Sequence, residues 1–232
     1  MAQIVDTPKR RALMRKLGNQ GWLGITWPAE HGGQEGEGVY EYLLNEALAA
    51  RGGPQIGKGV GIIGKTLIAH GSEFLKEEFL PKILINEVEF AIGYSEPEAG
   101  SDAASLKTTA VRDGDKYIIN GTKRYITNAK VADTFNVMAR TNPSIQGARG
   151  ISSFIVDRNS PGITLGPVDK KMGQAGSMTC DVIFEDCPVP AENIIGEEGA
   201  GFITAMKVLD RGRLHISGVS VGVAERLIGC LL

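Results

Sequence analysis

The chain has 232 residues, enough to bury a core in one large domain or in two small ones. Its net charge of −2 and pI near 6.0 argue against a partner with a phosphate backbone, so we expect no nucleic-acid binding. No apolar run approaches the ~20 residues that span a bilayer, and the N-terminus lacks the apolar core of a signal peptide. The three cysteines fit no zinc or C-x-x-C spacing. We therefore expect a cytoplasmic protein with reduced thiols and no membrane insertion.

The N-terminal part has the periodicity of amphipathic helices. Apolar residues recur at steps of three and four between positions 13 and 48. Gly52-Gly53-Pro54 is expected to end the second helix, and Ser72 is expected to cap a later helix that Pro81 kinks or shortens. We assign residues 1–90 to a helical N-terminal domain.

From about Phe90 the apolar period changes to two, which is typical of strands. Asp113-Gly114-Asp115 predicts one hairpin, and Asn120-Gly121 predicts a second tight turn. Further strands are expected at Phe135–Arg140, Ser152–Val156, Ile163–Pro167 and Met178–Phe184. We assign residues 91–195 to an antiparallel, barrel-like β domain.

Helical periodicity returns after the glycine-rich link Gly196–Gly201 and continues to the last residue. The helix reaches Leu232 without a polar or glycine cap, which predicts truncation after the first helix of a C-terminal bundle. Residues 196–232 are assigned to that helix. The expected fold class is thus α+β and multidomain, with an all-α domain, an antiparallel β domain and the start of a helical bundle.

A phosphate-loop pattern, G-x-x-x-x-G-K-T, is complete in the segment Gly59–Thr66. Such a loop binds a triphosphate through backbone N–H groups and a lysine, but it must follow a strand in an alternating βαβ chain. Here the preceding element is a predicted helix and antiparallel hairpins follow. We favour a glycine-rich helix start packed into the core, and a nucleotide hydrolase stays the alternative from another class.

Two segments carry side chains suited to ligand binding. In the loop Tyr94–Asp102, Gly100 allows close backbone approach, while Ser95 and Ser101 offer hydroxyl donors beside free N–H groups. The loop could hold a phosphate or the electron-rich edge of a flavin, or it could be an ordinary turn capped by Ser101 or Asp102.

Further candidates lie on a strand and on the last helix. Tyr125 and Thr127 are two residues apart and share a strand face, where they could contact a planar cofactor or be ordinary strand residues. Asp210 and Arg213 share a helix face, either as a solvated ion pair or as the lining of an anionic substrate pocket. The histidines are scattered at positions 31, 70 and 215, so we expect no metal site.

Taken together, several separated motifs resemble those of the acyl-CoA dehydrogenase family, and the resemblance covers essentially the whole chain. The matching segments are Gly21–Gly33 (GWLGITWPAEHGG), Tyr94–Asp102 (YSEPEAGSD), Tyr125–Asn128 (YITN), Gly162-Ile163, Phe184–Pro190 (FEDCPVP), Asn193 and Leu209–Arg213 (LDRGR).

The resemblance implies FAD as cofactor and an acyl-CoA thioester as substrate, in a full-length protein that forms a homo-oligomer. The implied FAD contacts are Ile92, Ser95, Glu96, Gly100, Ser101, Tyr125, Ile126 and Thr127, and the implied substrate contacts are Ser101, Asp210 and Arg213. Tyr125 stands where the family commonly has tryptophan, so stacking should survive with a changed polar tip.

The family reaction is α,β-desaturation of the thioester, in which a carboxylate removes the α-proton and the flavin takes the β-hydrogen as hydride. In most of the family the base lies beyond the point where this sequence stops. A minority place it directly before the arginine matched by Arg213, and here that position is Gly212. We therefore expect no catalytic residue within this chain, and a non-catalytic flavoprotein subunit is a further alternative.

Overall fold

The computed structural model describes residues 7–174 and 176–231, apart from the side chain of Arg211. Four helices come first: α1 (Pro8–Asn19), α2 (Gly38–Ala50), α3 (Lys65–His70) and α4 (Glu73–Leu84). Seven strands follow: β1 (Phe90–Gly93), β2 (Thr109–Asp113), β3 (Lys116–Thr127), β4 (Thr134–Arg140), β5 (Ile151–Asp157), β6 (Ile163–Leu165) and β7 (Thr179–Pro190). The long helix α5 (Gly201–Leu231) ends the described chain.

The helical part forms where the sequence predicts it. Ser72 caps α4, since its Oγ accepts a hydrogen bond from the N–H of Leu75 at 3.3 Å. Gly52, at a φ of +68°, lies just beyond the end of α2, as expected of a glycine after a helix. Pro81 does not end α4, which continues to Leu84 because its buried side chains Leu80 and Ile83 hold the last turn against the core. The expected shortening is therefore wrong.

The expected antiparallel sheet is in fact mixed. The strand order is β1-β4-β2-β3-β7-β6, with β5 paired to β4. β4 is parallel to both β1 and β2, while the pairs β2–β3, β3–β7, β6–β7 and β4–β5 are antiparallel. β4 follows β3 after only six residues, yet it lies between β1 and β2 in the sheet instead of pairing with β3 as a hairpin would.

The predicted turn at Asn120-Gly121 is also wrong, because β3 runs straight through it. Asn120 pairs with Thr109 across the sheet, and its side chain exchanges hydrogen bonds with Asp186 on β7. Gly121 has a φ of +148° and sits at a register shift, where an added Cβ would come within 2.7 Å of the Cα of Thr108. The extra residue at this shift is on β7, so the glycine lies opposite a bulge of β7 while β3 continues without a reversal.

Helix α5 connects the two parts of the molecule. It packs along α2 and against β5 and the π-helical segment Gly59–Gly64. Among the described residues, α5 is the one helix whose length and apolar composition would allow it to cross a membrane. A core helix of a soluble protein meets the same test, so this is weak evidence.

Candidate functional site

The loop between Tyr94 and Asp102 folds into a tight turn fixed to strand β3. Within it, Glu96 and Ala99 exchange backbone hydrogen bonds of 2.9 and 3.2 Å. The backbone N–H of Arg124, on β3, donates to the carbonyl of Ser95 at 2.9 Å. This bond brings the loop beside Tyr125 and Thr127, so the structure joins the two segments that the sequence singles out separately.

A buried ion pair lies beneath this junction. Lys123 is fully buried, and its Nζ donates to Glu96 Oε1 at 2.7 Å and to the carbonyl of Tyr94 at 3.3 Å. Glu96 also accepts from the backbone N–H groups of Lys107 and Thr108 at 2.6 and 3.0 Å. Every bond of this pair ties the loop to β3 or to the two residues just before β2. The pair therefore fixes the position of the loop.

The protonation of this pair follows from its burial. Burial lowers the pKa of Lys123 to about 8, although the charge of the nearby Glu96 raises it. For Glu96, burial raises the pKa, but the charge and hydrogen bond of Lys123 and the bonds from Thr108 and Lys107 outweigh burial and lower it. Each group of the pair thus favours the charged form of the other.

Tyr125 reaches the surface because of a β-bulge. Between Lys123 and Ile126, strand β3 has one residue more than the facing segment of β7. Tyr125 takes up this extra residue with a φ of +58°, and 63% of its surface is exposed. The guanidinium of Arg124 lies 4.7 Å from the centre of the Tyr125 ring and forms an ion pair with Asp181 at 2.6 Å.

Three hydroxyl groups at the junction are available to a ligand. Ser95, Ser101 and Thr127 make no side-chain hydrogen bond among the described residues, and both Ser101 and Thr127 are exposed. Open space surrounds Gly100, since a Cβ added there would meet nothing within 4 Å. Free hydroxyl donors, an exposed ring and an open glycine suit the oxygen- and nitrogen-rich edge of a flavin. The residues present thus fit the cofactor that the resemblance implies.

Three of the predicted contact residues direct their side chains elsewhere. Ile126 is buried in the core of the β domain, and Ile92 packs against the core of the helical part. The carboxylate of Glu96 points inward to Lys123. Only backbone atoms of these residues could reach a ligand at the exposed junction.

Asp210 and Arg213 lie on the exposed side of α5. Arg213 Nη1 is 3.4 Å from Asp210 Oδ1, and both side chains are more than 70% exposed. The same helix begins against the candidate loop, because Ala205 packs in one buried cluster with Ala99 and Leu106. The structure therefore places this ion pair within a few turns of the loop, but not in contact with it.

The phosphate-loop segment lies in a helical context in this structure. Gly59–Gly64 forms a π-helix, and in the described chain the regular element before it is the helix α2, not a strand. Lys65 pairs with Glu41 at 2.5 Å, and the Thr66 hydroxyl donates to the carbonyl of Ile62 at 2.8 Å. Both side chains that would hold a phosphate and its metal have protein partners, so the structure favours the glycine-rich helix start over the nucleotide hydrolase. No cluster of three metal-ligating side chains occurs in the described part of the chain.

Comparison with known proteins agrees with this architecture. The sequence profile of the acyl-CoA dehydrogenase N-terminal domain matches residues 2–87, and that of the acyl-CoA dehydrogenase middle domain matches residues 91–187. The chain belongs to the acyl-CoA dehydrogenase family.

Individual relatives of the family match nearly the whole chain. A short-chain-specific acyl-CoA dehydrogenase of Clostridium acetobutylicum is 38% identical over 230 residues, covering 97% of this chain and 60% of that protein. A mitochondrial isovaleryl-CoA dehydrogenase of Pongo abelii is 39% identical, covering 94% and 52%. The crystal structure of an acyl-CoA dehydrogenase from Geobacillus kaustophilus superposes with a TM-score of 0.86 at 37% identity, covering 94% and 58%. The chain thus spans 52–60% of the length of these relatives.

Proposed function

We propose that this chain is the flavin-binding part of an acyl-CoA dehydrogenase, which desaturates an acyl-CoA thioester between its α and β carbons. The observation that supports the proposal best is the junction itself. An exposed aromatic ring, three free hydroxyls and an open glycine lie where a buried ion pair holds loop and strand together. The family generally binds FAD, and bound FAD would accept the hydride from the β carbon.

In this proposal each segment has one task toward the ligands. Tyr125 packs its ring on the flavin, while Thr127 and Ser95 donate hydrogen bonds to its polar edge. Ser101 and the open backbone at Gly100 bind the pyrophosphate and the thioester ligand. Asp210 and Arg213, exposed on α5, line the approach of the acyl-CoA. The full-length protein is proposed to assemble as a homo-oligomer.

The proton of the α carbon needs a base, and Gly212 cannot supply one. This glycine precedes Arg213 on α5, and a Cβ added there would lie 3.6 Å from Ile62 Cδ1, an ordinary contact. We propose that the 232-residue chain binds flavin and ligand but does not remove the α-proton. The second candidate is a flavoprotein subunit whose partner supplies the base, and the same glycine favours it. A copurifying chain that restores turnover would support this candidate.

Anaerobic addition of a mixture of acyl-CoA thioesters to the FAD-loaded chain tests the proposal. The absorbance of bound flavin near 450 nm should persist in the unmodified chain, because no base removes the α-proton. Gly212→Glu places a carboxylate at that position and should permit bleaching, whereas the matched Gly229→Glu variant, further along α5, should not. Bleaching by the unmodified chain would refute the missing-base proposal, and bleaching by neither Gly212→Glu nor the unmodified chain would remove position 212 from the reaction.

A further inference from the structure

A second side chain holds the exposed ring of Tyr125 from one side. The guanidinium of Arg124 lies over this ring, 4.7 Å from its centre. Because 63% of the surface of Tyr125 stays exposed, the contact leaves most of the ring open. A flavin that stacks on Tyr125 must therefore use the part of the ring that Arg124 does not cover.

The bulge in β3 makes this contact possible. Across the register shift of the β3–β7 pair, the two residues Arg124 and Tyr125 face the single residue Asp181. In a regular strand, neighbouring side chains point to opposite faces and could not meet. The positive φ of Tyr125 breaks this alternation, so that two adjacent side chains lie against each other.

Asp181 anchors the guanidinium from the other side. Arg124 Nη1 donates to Asp181 Oδ2 at 2.6 Å, and the two side chains are only 36% and 23% exposed. Asp181 is itself held by the end of β6. Its carbonyl accepts from the N–H of Gly166 at 3.0 Å, and a Cβ added to Gly166 would lie 3.3 Å from the Asp181 Cβ. The guanidinium of Arg124 thus lies between a fixed carboxylate and the ring of Tyr125.

The chemistry of arginine suits a positioning role here. A guanidinium is planar, so it can stack on an aromatic ring while its N–H groups bind a carboxylate, which the ammonium of lysine cannot do. The carboxylate of Asp181 also matches the charge of Arg124. Arg124 is therefore better suited to orienting the ring than to binding an anionic ligand.

We propose that Arg124, anchored by Asp181, is a positioning residue that holds the Tyr125 ring in the orientation in which it stacks on the flavin. This role rests on the flavin site proposed above and adds a residue to it. Arg124 acts through Tyr125 and does not touch the cofactor. Without Arg124 the ring turns more freely about its side-chain bonds, so a smaller fraction of the molecules presents it to the flavin.

The fluorescence of bound FAD tests this role, because a tyrosine ring stacked on the isoalloxazine quenches its emission. FAD would be titrated into the unmodified chain, Arg124→Met and Asp181→Asn, and the dissociation constant and the emission at saturation would be measured. We expect Arg124→Met to bind FAD about two- to fivefold more weakly, the size of an exposed cation–π contact, and the bound flavin to emit more strongly. Asp181→Asn should change both readouts in the same direction.

The chain offers a matched control near the other end of β3. The guanidinium of Arg112 lies over the ring of Tyr117, 5.6 Å from its centre, so Arg112→Met removes the same kind of contact away from the junction. It should change neither the affinity for FAD nor the emission of the bound flavin.

A double-variant cycle separates positioning from direct contact. In a Tyr125→Ala background, Arg124→Met should cause no further loss of FAD affinity, because no ring is left to orient. An equal loss in both backgrounds would show that Arg124 touches the ligand itself and would overturn the proposal. Unchanged affinity and emission in Arg124→Met, in a chain that binds FAD, would overturn it as well. If the unmodified chain binds no FAD, the proposed flavin site is wrong, and with it the role of Arg124.

Discussion

At the scale of single residues, the site depends on one backbone conformation. Strict alternation from the inward residue Tyr117 would bury Tyr125 and expose Ile126, yet the bulge in β3 reverses this order. The cost is a φ of +58° at a residue with a Cβ, a region that L-residues enter at about 1–2 kcal/mol. Tyr125 and Thr127 thereby share the exposed face, as predicted from their spacing, although the bulge itself has no clear signal in the sequence.

This strain predicts an unusual order of stability. Tyr125→Gly and Tyr125→Ala both remove the ring and its contact with Arg124, so they differ only in backbone preference. We expect the glycine variant to be more stable in urea unfolding by about 0.5–1 kcal/mol, since glycine adopts positive φ without strain. At Val111, an exposed position of β2, we expect the opposite order: Val111→Ala should be more stable than Val111→Gly. A more stable alanine variant at Tyr125 would contradict the strained conformation.

The residue that sequence reasoning missed is Lys123. Its spacing of four and six residues from the inward positions Ile119 and Tyr117 predicts that it faces the core, which is unusual for a lysine. This even spacing from two inward residues is the feature of the sequence that could have revealed Lys123. Its partner Glu96 could not be found from sequence, because the two are 27 residues apart and meet only through the fold.

At the scale of elements, the Glu96–Lys123 pair couples the loop to β3, and its loss should affect both stability and flavin binding. Lys123→Met leaves a buried carboxylate without its counter-ion and should destabilise the chain by about 3 kcal/mol in urea unfolding. The double variant Glu96→Gln/Lys123→Met should recover part of this loss. Lys107→Met breaks the exposed pair with Glu98 and should change stability little. Equal effects of Lys123→Met and Lys107→Met would show that the buried pair has no special role.

The contact between α2, α3 and the segment before α2 should weaken in acid. Glu41 has its pKa lowered from 4.5 to about 2, so below pH 4.5 the unfolded chain binds more protons than the folded one. The unfolding free energy should then fall by about 3 kcal/mol as the pH decreases from about 4.5 to 2. Glu41→Gln should flatten this slope in urea titrations at successive pH values, whereas Glu77→Gln should not. A slope unchanged by Glu41→Gln would contradict the assignment.

At the scale of the whole molecule, the order of helices, sheet and long helix could be predicted from apolar periodicity and caps. The direction of β4 could not be predicted, because the apolar pattern of a strand is the same whether its neighbour is parallel or antiparallel. The turn predicted at Asn120-Gly121 failed because the pairing of β3 with β2 and β7 overrides a local turn preference. The domain boundaries at 90 and 195 and the contact residues of the flavin stay predictions.

Binding of FAD by the 232-residue chain and two of its variants tests the central claim most directly. Visible absorbance and equilibrium dialysis would be measured for the unmodified chain, for Thr127→Val at the junction, and for Thr164→Val at an exposed position of β6. We predict saturable binding that is about three- to tenfold weaker in Thr127→Val, because one hydrogen bond to the flavin is lost, and unchanged in Thr164→Val. Absence of saturable binding, or equal affinity in all three proteins, would contradict a flavin site at this junction.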